Sequence, residues 1–462
     1  MYLFERRDLK PRRLAWRDRA HRLLQILAFG AVALATAGFS VSVIVAATDP
    51  DWVGTPPTNI SNSGTRKTLH PAIAAGPPGQ VLVAWNDLAP GETKSDIYVT
   101  RSDDHGKSWR ASPTRVWDTT AKSQLPDIAI AGDKTLIAWT EQTGTGNDAT
   151  FTVYEAELAS GDTRPVPIPE GPSRITTGPR LAANAKGSDT LHIVFNAGQI
   201  FSHIFYSSRL LTDAIWPTAT QIYTSTNSMS WSPALDVGPD GAELHVVWEE
   251  KPFGSDRNVW YMHGSIGSPD VSWSPPLKLS GETTSVKPDL AVSSDGNVHI
   301  VWGEADSEQI SAAYYVRYCH FDPDKETCFE SKRVDARPVY VNEISPTESS
   351  PRLALWEDND QIHLCVTWHG FREGESAEDI FVSCSEDGGE TWQSASIMSP
   401  LPEGVTESAD ISIWPSIVFD ASGTLHGVWQ QRVDIVSAES YYEIYYAHAM
   451  NRVFLPLITR NG

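Results

Sequence analysis

Seven prolines recur along the chain, Pro71, Pro126, Pro179, Pro233, Pro288, Pro351 and Pro415, at intervals of 53 to 64 residues. In four of the seven units the next residue carries charge: Asp127, Arg180, Asp289 and Arg352. Each unit closes on an aromatic residue, namely Trp85, Trp139, Phe195, Trp248, Trp302, Trp368 and Trp429. Two positions past that aromatic stand Asp87, Glu141, Glu250 and Glu304. If equivalent positions gather at one end of the molecule, two arginines and six carboxylates share a face. Such a mixture suits a polar ligand, a sugar or a cation; the alternative is that these groups satisfy loop backbone and one another.

Other candidates carry less chemistry. His192, His245, His299 and His426 each lie three residues before a closing aromatic. Equivalent positions in different units are too far apart to share a metal ion at the roughly 2 Å that imidazole ligation needs, so hydrogen bonding within the fold is expected of them. Tyr441-Tyr442-Glu443 pairs a phenol with a carboxylate, yet neighbours on a strand point to opposite faces. Trp260, Trp356 and Trp414 are candidate stacking platforms. Acidic clusters at residues 322–324 and 357–360 lack full calcium-loop spacing. Neither metal nor cofactor is expected.

The elements that must position these residues are β-strands. In the fifth unit Pro288 to Val292 reads as one strand, Ser294 to Asn297 as a turn, Val298 to Trp302 as a second strand and Ala312 to Tyr318 as a third. A repeat of this period, with four strands per unit and no helical periodicity, predicts an all-β fold, a seven-bladed β-propeller of four-stranded antiparallel blades, over residues 53–450. The seventh unit has no obvious fourth strand. Residues 55–61 resemble the fourth strand at 274–280, so this N-terminal segment is expected to complete the last blade and remove two open edges.

Two turns carry a specific motif. Ser102, Asp104, Gly106, Ser108 and Trp109, like Ser385, Asp387, Gly389, Thr391 and Trp392, fit S-x-D-x-G-x-[ST]-W. They resemble the Asp-box of sialidases and other bacterial-neuraminidase-repeat propellers, and the strand phrasing over residues 53–450 is similar to that superfamily. The resemblance implies a structural role for the boxes: Asp caps a tight turn, Gly takes a positive φ and Trp packs under the hairpin. It also implies, as one alternative, a sialidase-like glycoside hydrolase. Sialidases grip the substrate carboxylate with three arginines and use an Asp acid/base with a Tyr nucleophile activated by Glu. Arg180, Arg352 and a funnel carboxylate are the residues here for such a role. The family's Arg-Ile-Pro phrase has no counterpart in residues 65–71. Sialidases have six blades, which makes a six-bladed ring the alternative architecture.

Charge divides the chain. Residues 1–22 hold eight basic and three acidic residues, whereas the whole chain carries a formal −22. Residues 23–47 are apolar and long enough, at about 1.5 Å per residue, to cross a hydrocarbon core of roughly 30 Å. The expectation is an N-terminal transmembrane helix with the N-terminus inside and the propeller outside, or a signal segment cleaved after Ala47 and a secreted product. Residues 451–462 form a tail without an assigned role. Outside the cytoplasm, Cys319 with Cys328 and Cys365 with Cys384 are candidate disulfides. Bulk acidity argues against nucleic acid. The partners expected are the membrane and a glycan or protein ligand on the funnel face; a structural surface protein is a further alternative.

Overall fold

The computed structural model describes residues 53–450, apart from residues 65, 184–188, 268–269, 307–312, 324, 341–349, 360, 376, 401–410 and 435–440. The expected basic segment 1–22, the span 23–47 with its cleavage point, and the tail 451–462 lie outside the described residues. Among the described residues no helix is long and apolar enough to cross a membrane.

The protein is an all-β propeller. Each sequence unit folds as an antiparallel meander, numbered here I to VII in chain order. Unit I consists of Lys67–Ala75, Val81–Leu88, Ser95–Ser102 and Thr114–Arg115. The inner strands of the others are Lys122–Ala131, Pro179–Ala183, Ser228–Val237, Ser285–Val292, Arg352–Asp358 and Ser412–Phe419. Units IV and V add a short fifth strand, Leu277–Lys278 and Val339–Tyr340, against their third. Units VII and I form one eight-stranded sheet, joined by a single parallel pairing of Lys67 with Tyr442.

Ring closure follows the sequence expectation. Thr58–Asn59 pairs antiparallel with the third strand of unit VII, Thr58 opposite Tyr446 and Asn59 opposite Tyr445. Glu443 clamps this segment, accepting hydrogen bonds from the Ser63 and Gly64 N–H groups at 2.9 and 2.7 Å and from the Ser61 hydroxyl. The carboxylate of the Tyr-Glu pair is thereby committed to closure.

Second strands are buried on both faces, which explains their unbroken apolar runs. Trp85, Trp139, Trp248, Trp302, Trp368 and Trp429 are at most 1% exposed. Apolar clusters fill every junction between neighbouring units: Leu82 with Trp139 between I and II, Val246 with Val194 between IV and III, and Trp85 with Val428 and Ile60 between I and VII.

The repeat prolines do not start the inner strands in every unit. In units I, II, IV, V and VII the strand begins three to five residues earlier, and its register slips at the proline. Proline has no N–H to give a ladder, so a bulge is where a strand tolerates it. The residue before it takes a left-handed backbone: His70 (φ 55°), Leu125 (55°), Ser232 (48°), Lys287 (51°) and Trp414 (57°), with Gly178 (98°) in unit III. Side-chain-bearing residues pay about 1–3 kcal/mol for such a conformation. Its recurrence turns one side chain toward the axis in each of five units.

Candidate functional site: the central funnel

The left-handed residues and their prolines surround one cavity of about 260 Å³ on the ring axis. His70, Leu125, Gly178, Ser232, Lys287, Ser350 and Trp414 line it, one from each unit, together with Arg180 and Arg352. The neighbouring unit holds several of these positions in place. The N–H of His70 donates to Gln430 Oε1 (3.0 Å), that of Ser232 to Thr177 Oγ1 (2.9 Å) and that of Lys287 to Glu249 Oε2 (2.7 Å). Bulge and cross-unit hydrogen bond together fix where each side chain stands.

Of the first-strand candidates, four converge. Arg180 lies between two carboxylates, its Nη1 3.4 Å from Asp127 Oδ1 and its Nη2 3.4 Å from Asp289 Oδ1. Arg352 Nη1 is 3.8 Å from the same Asp289 oxygen. Each carboxylate also accepts a backbone N–H from the next unit, Leu181 to Asp127 at 2.7 Å and Leu353 to Asp289 at 3.0 Å. Burial pushes both carboxyl pKa values up, against the opposing pull of Arg180. Burial acts to lower the Arg180 pKa, but Asp127 and Asp289 outweigh it and raise the value. Arg180 and its carboxylates thus form the floor. Arg352, with 26% of its side chain exposed and, among the described residues, one ion-pair partner at long range, keeps more of its fork for a ligand.

The second-strand carboxylates stand elsewhere, which corrects the expectation that they share the funnel. Asp87 accepts from Arg66 Nε at 2.6 Å, Glu141 from Ser123 Oγ at 2.6 Å, Glu250 from Tyr223 Oη at 2.7 Å and Glu304 from Arg317 Nε at 2.8 Å. The reason is strand periodicity. Residues two apart share a face, so a residue two past the closing Trp points between units as that Trp does. Trp139 Nε1 donates to Glu141 at 3.0 Å, which demonstrates the shared face.

Two residues that sequence reasoning did not select complete the funnel's chemistry. Lys287 Nζ lies 5.7 Å from the Trp414 ring centroid, and His70 meets the same ring edge-on at 4.9 Å. The His70 ring is oriented by Asn86 Oδ1, 2.9 Å from Nδ1. Both residues precede a repeat proline, so the slot was readable, although its side-chain direction depends on the bulge. Trp414, one of three candidate platforms, is in the funnel; Trp260 and Trp356 pack in cores between units. Among the described residues lining the cavity there is no third arginine and no tyrosine.

The opposite rim is built from repeated parts. Nδ1 of His192, His245, His299 and His426 lies 2.7–2.8 Å from the hydroxyls of Tyr206, Tyr261, Tyr318 and Tyr446. The two S-x-D-x-G-x-[ST]-W turns dock on two of these tyrosines. Asp104 Oδ1 accepts the Ser108 N–H and Asp387 Oδ1 the Thr391 N–H, at 2.8 and 2.9 Å. Ser102 and Ser385 accept the N–H of Gly106 and Gly389 at 2.9 and 2.8 Å. Hydrogen bonds from Ser108 lead in lowering the Asp104 pKa to about 2. Each Trp also reaches the neighbouring unit: Trp109 meets Tyr446 of unit VII at 4.7 Å and Trp392 meets Tyr318 of unit V at 5.1 Å, both edge-on. These turns staple one unit to the one before it. The structure also joins Cys319 to Cys328 and Cys365 to Cys384.

No family model matches the chain, and no curated protein sequence does. Among solved structures, an ulvan lyase from a new polysaccharide lyase family, bound to -[GlcA(1-4)Rha3S]-, is similar with a TM-score of 0.53 at 11% identity, over 84% of this chain and 94% of that one. Another structure of ulvan lyase gives 0.52 at 12% identity with the same coverage. The NanB sialidase from Streptococcus pneumoniae aligns over 89% of this chain and 72% of that one, at 9% identity and a TM-score of 0.47. The likeness to ulvan lyase shows the fold, and the residues of the site must carry any further argument.

Proposed function

We propose that the chain is an extracytoplasmic propeller of seven blades whose funnel binds an acidic saccharide. In this reading residues 23–47 tether it to a membrane, or cleavage after Ala47 releases it, and the two Ser-Asp turns are Asp-boxes. One observation carries the binding assignment: Arg352, Lys287 and Trp414 converge on one cavity in a chain of formal charge −22. Two cationic side chains at the mouth of an otherwise acidic protein favour an anion there. Arg352 offers a planar fork and Lys287 a point charge to a carboxylate or sulfate, while Trp414 offers a face for sugar C–H groups. The ulvan lyase with its bound acidic saccharide supports the class of ligand.

Calorimetric titration with glucuronic acid, sialic acid and sulfated oligosaccharides, against neutral analogues, tests this. Saturable binding of the acidic sugars that weakens with salt is expected. Equal binding of neutral and acidic sugars, or none of either, refutes it. The hydrolase alternative is read in the same samples with a fluorogenic sialoside; turnover would replace binding by catalysis as the conclusion.

A further inference from the structure

Beside the funnel, between units II and III, lies a second cavity of about 200 Å³. It shares Thr176 with the funnel, and a short hydrogen-bonded bridge links the two: Asn196 Oδ1 accepts from Thr177 N at 2.8 Å, and Thr177 Oγ1 accepts from Ser232 N at 2.9 Å. Among the described residues that line it none is charged; Phe151, Pro165, Pro167, Ile168, Pro172 and Phe195 form much of its wall. Two of its polar groups are already engaged. Ser173 Oγ accepts the Gly198 N–H at 2.8 Å and donates to the Ile175 carbonyl at 2.5 Å, and Asn196 Nδ2 donates to Ser202 at 2.8 Å. What the cleft presents to a ligand is therefore apolar surface.

We infer that this cleft is a second subsite, which takes an uncharged apolar substituent, an aryl or acyl group, carried by the acidic saccharide in the funnel. The inference rests on the funnel reading and names the ligand class more closely: an acidic sugar bearing an apolar aglycone. Three features support it. Thr176 lines both cavities, so they adjoin and an elongated molecule is able to span them. The absence of charge on the wall rejects a second acidic sugar, whose desolvation would go uncompensated. The size is sufficient, since roughly 150 Å³ accommodates benzene. Three prolines in its wall, Pro165, Pro167 and Pro172, hold the cleft preformed, which limits the ordering cost of binding.

The test compares glucuronic acid, 4-methylumbelliferyl glucuronide and free 4-methylumbelliferone on the native protein, on Ile168→Asp and on Pro167→Asp. Pro167 is exposed and uses only its carbonyl, which accepts from Ala219 N at 2.7 Å, so its variant is expected to fold. The aryl glucuronide should bind native protein roughly tenfold or more tightly than glucuronic acid. Either variant should abolish that gain and leave glucuronic acid binding unchanged. Equal affinities in native protein, or a gain that survives both variants, overturns the subsite. If neither acidic sugar binds, the funnel reading has failed, and the cleft is judged on 4-methylumbelliferone alone: a fluorescence shift in native protein but in neither variant upholds it, and no shift overturns it.

Discussion

At the funnel mouth one backbone position carries His70, Leu125, Ser232, Lys287 and Trp414 in five units, all with a left-handed φ. At the opposite rim, four units repeat the same His-Tyr pair at 2.7–2.8 Å. The mouth thus holds geometry constant and varies chemistry in five units, and the rim holds both constant in four. Variation at a fixed, costly geometry is the arrangement recognition needs, because a ligand reads differences among side chains whose positions are already set. Repetition without variation is the arrangement support needs. If this division is right, rim substitutions should cost stability and mouth substitutions should cost binding.

The largest effect is expected from Gly389→Ala. Its φ is +90°, and an added Cβ would lie 2.2 Å from the buried Tyr318 hydroxyl. Both backbone strain and displacement of Tyr318 then count, for a loss of roughly 3 kcal/mol or more. Scanning calorimetry should show a lower Tm, while the folded fraction binds acidic saccharide normally; weakened binding in folded protein would break the division of roles. Arg180→Met probes where the two ends' rules meet. It strands the carboxylates of Asp127 and Asp289, so roughly 2–4 kcal/mol of stability should be lost along with binding, measured by urea unfolding and calorimetric titration. An unchanged unfolding midpoint would remove Arg180 from the floor.

Arg352→Ala should weaken acidic-saccharide binding about tenfold, near 1.4 kcal/mol, with Tm almost unmoved. A fall in Tm comparable with that of Gly389→Ala would make Arg352 structural.

The last test uses opposite signs within the rim, at His299 and at Asp236, the cross-strand partner of His245. Burial lowers the His299 pKa to about 4 from 6.5, so its contribution is complete above pH 6.5 and disappears as pH falls toward 4. Burial raises the Asp236 pKa to about 6 from 3.8, so its contribution is complete below pH 3.8 and disappears as pH rises through 6. Each is worth at most about 3 kcal/mol. The stability difference between native protein and His299→Gln should shrink on acidification, and that between native protein and Asp236→Asn should shrink as pH rises. Parallel slopes would contradict this assignment of burial.

Much of this organisation is legible from local residue patterns. Prolines and closing aromatics mark the units because each sits where a strand must bulge or pack between neighbours. Residues 55–61 betray closure because they copy another unit's fourth strand. The Ser-Asp turns are short-range objects, readable one residue at a time. Arg180 and Arg352 were found because they occupy one slot. Lys287 and His70 escaped because a residue before proline is ordinarily extended; only the bulge turns it inward. Asp87, Glu141, Glu250 and Glu304 lie two past the closing aromatic and so share its face between units, where the shared end of the strands alone suggests the funnel. The Trp109-Tyr446 contact joins residues far apart in sequence, and no local pattern foretells its partner.

Ring closure has a consequence for timing. The hydrogen bond from His448 N to Thr55 Oγ1 spans 393 residues, so the first strand of the propeller cannot find its partner until almost the whole chain has been made. Contacts of such separation form late, after the entropy of closing the loop has been met. During synthesis the third strand of unit VII is still absent while residues 58–59 wait as an unpaired edge. Units I to VI can stack in order of emergence, each covering the face of the last, but the ring becomes edgeless in one final step. A chain interrupted near its C-terminus would therefore leave two exposed edges as well as a missing strand, and those edges are the surfaces through which such intermediates pair with one another.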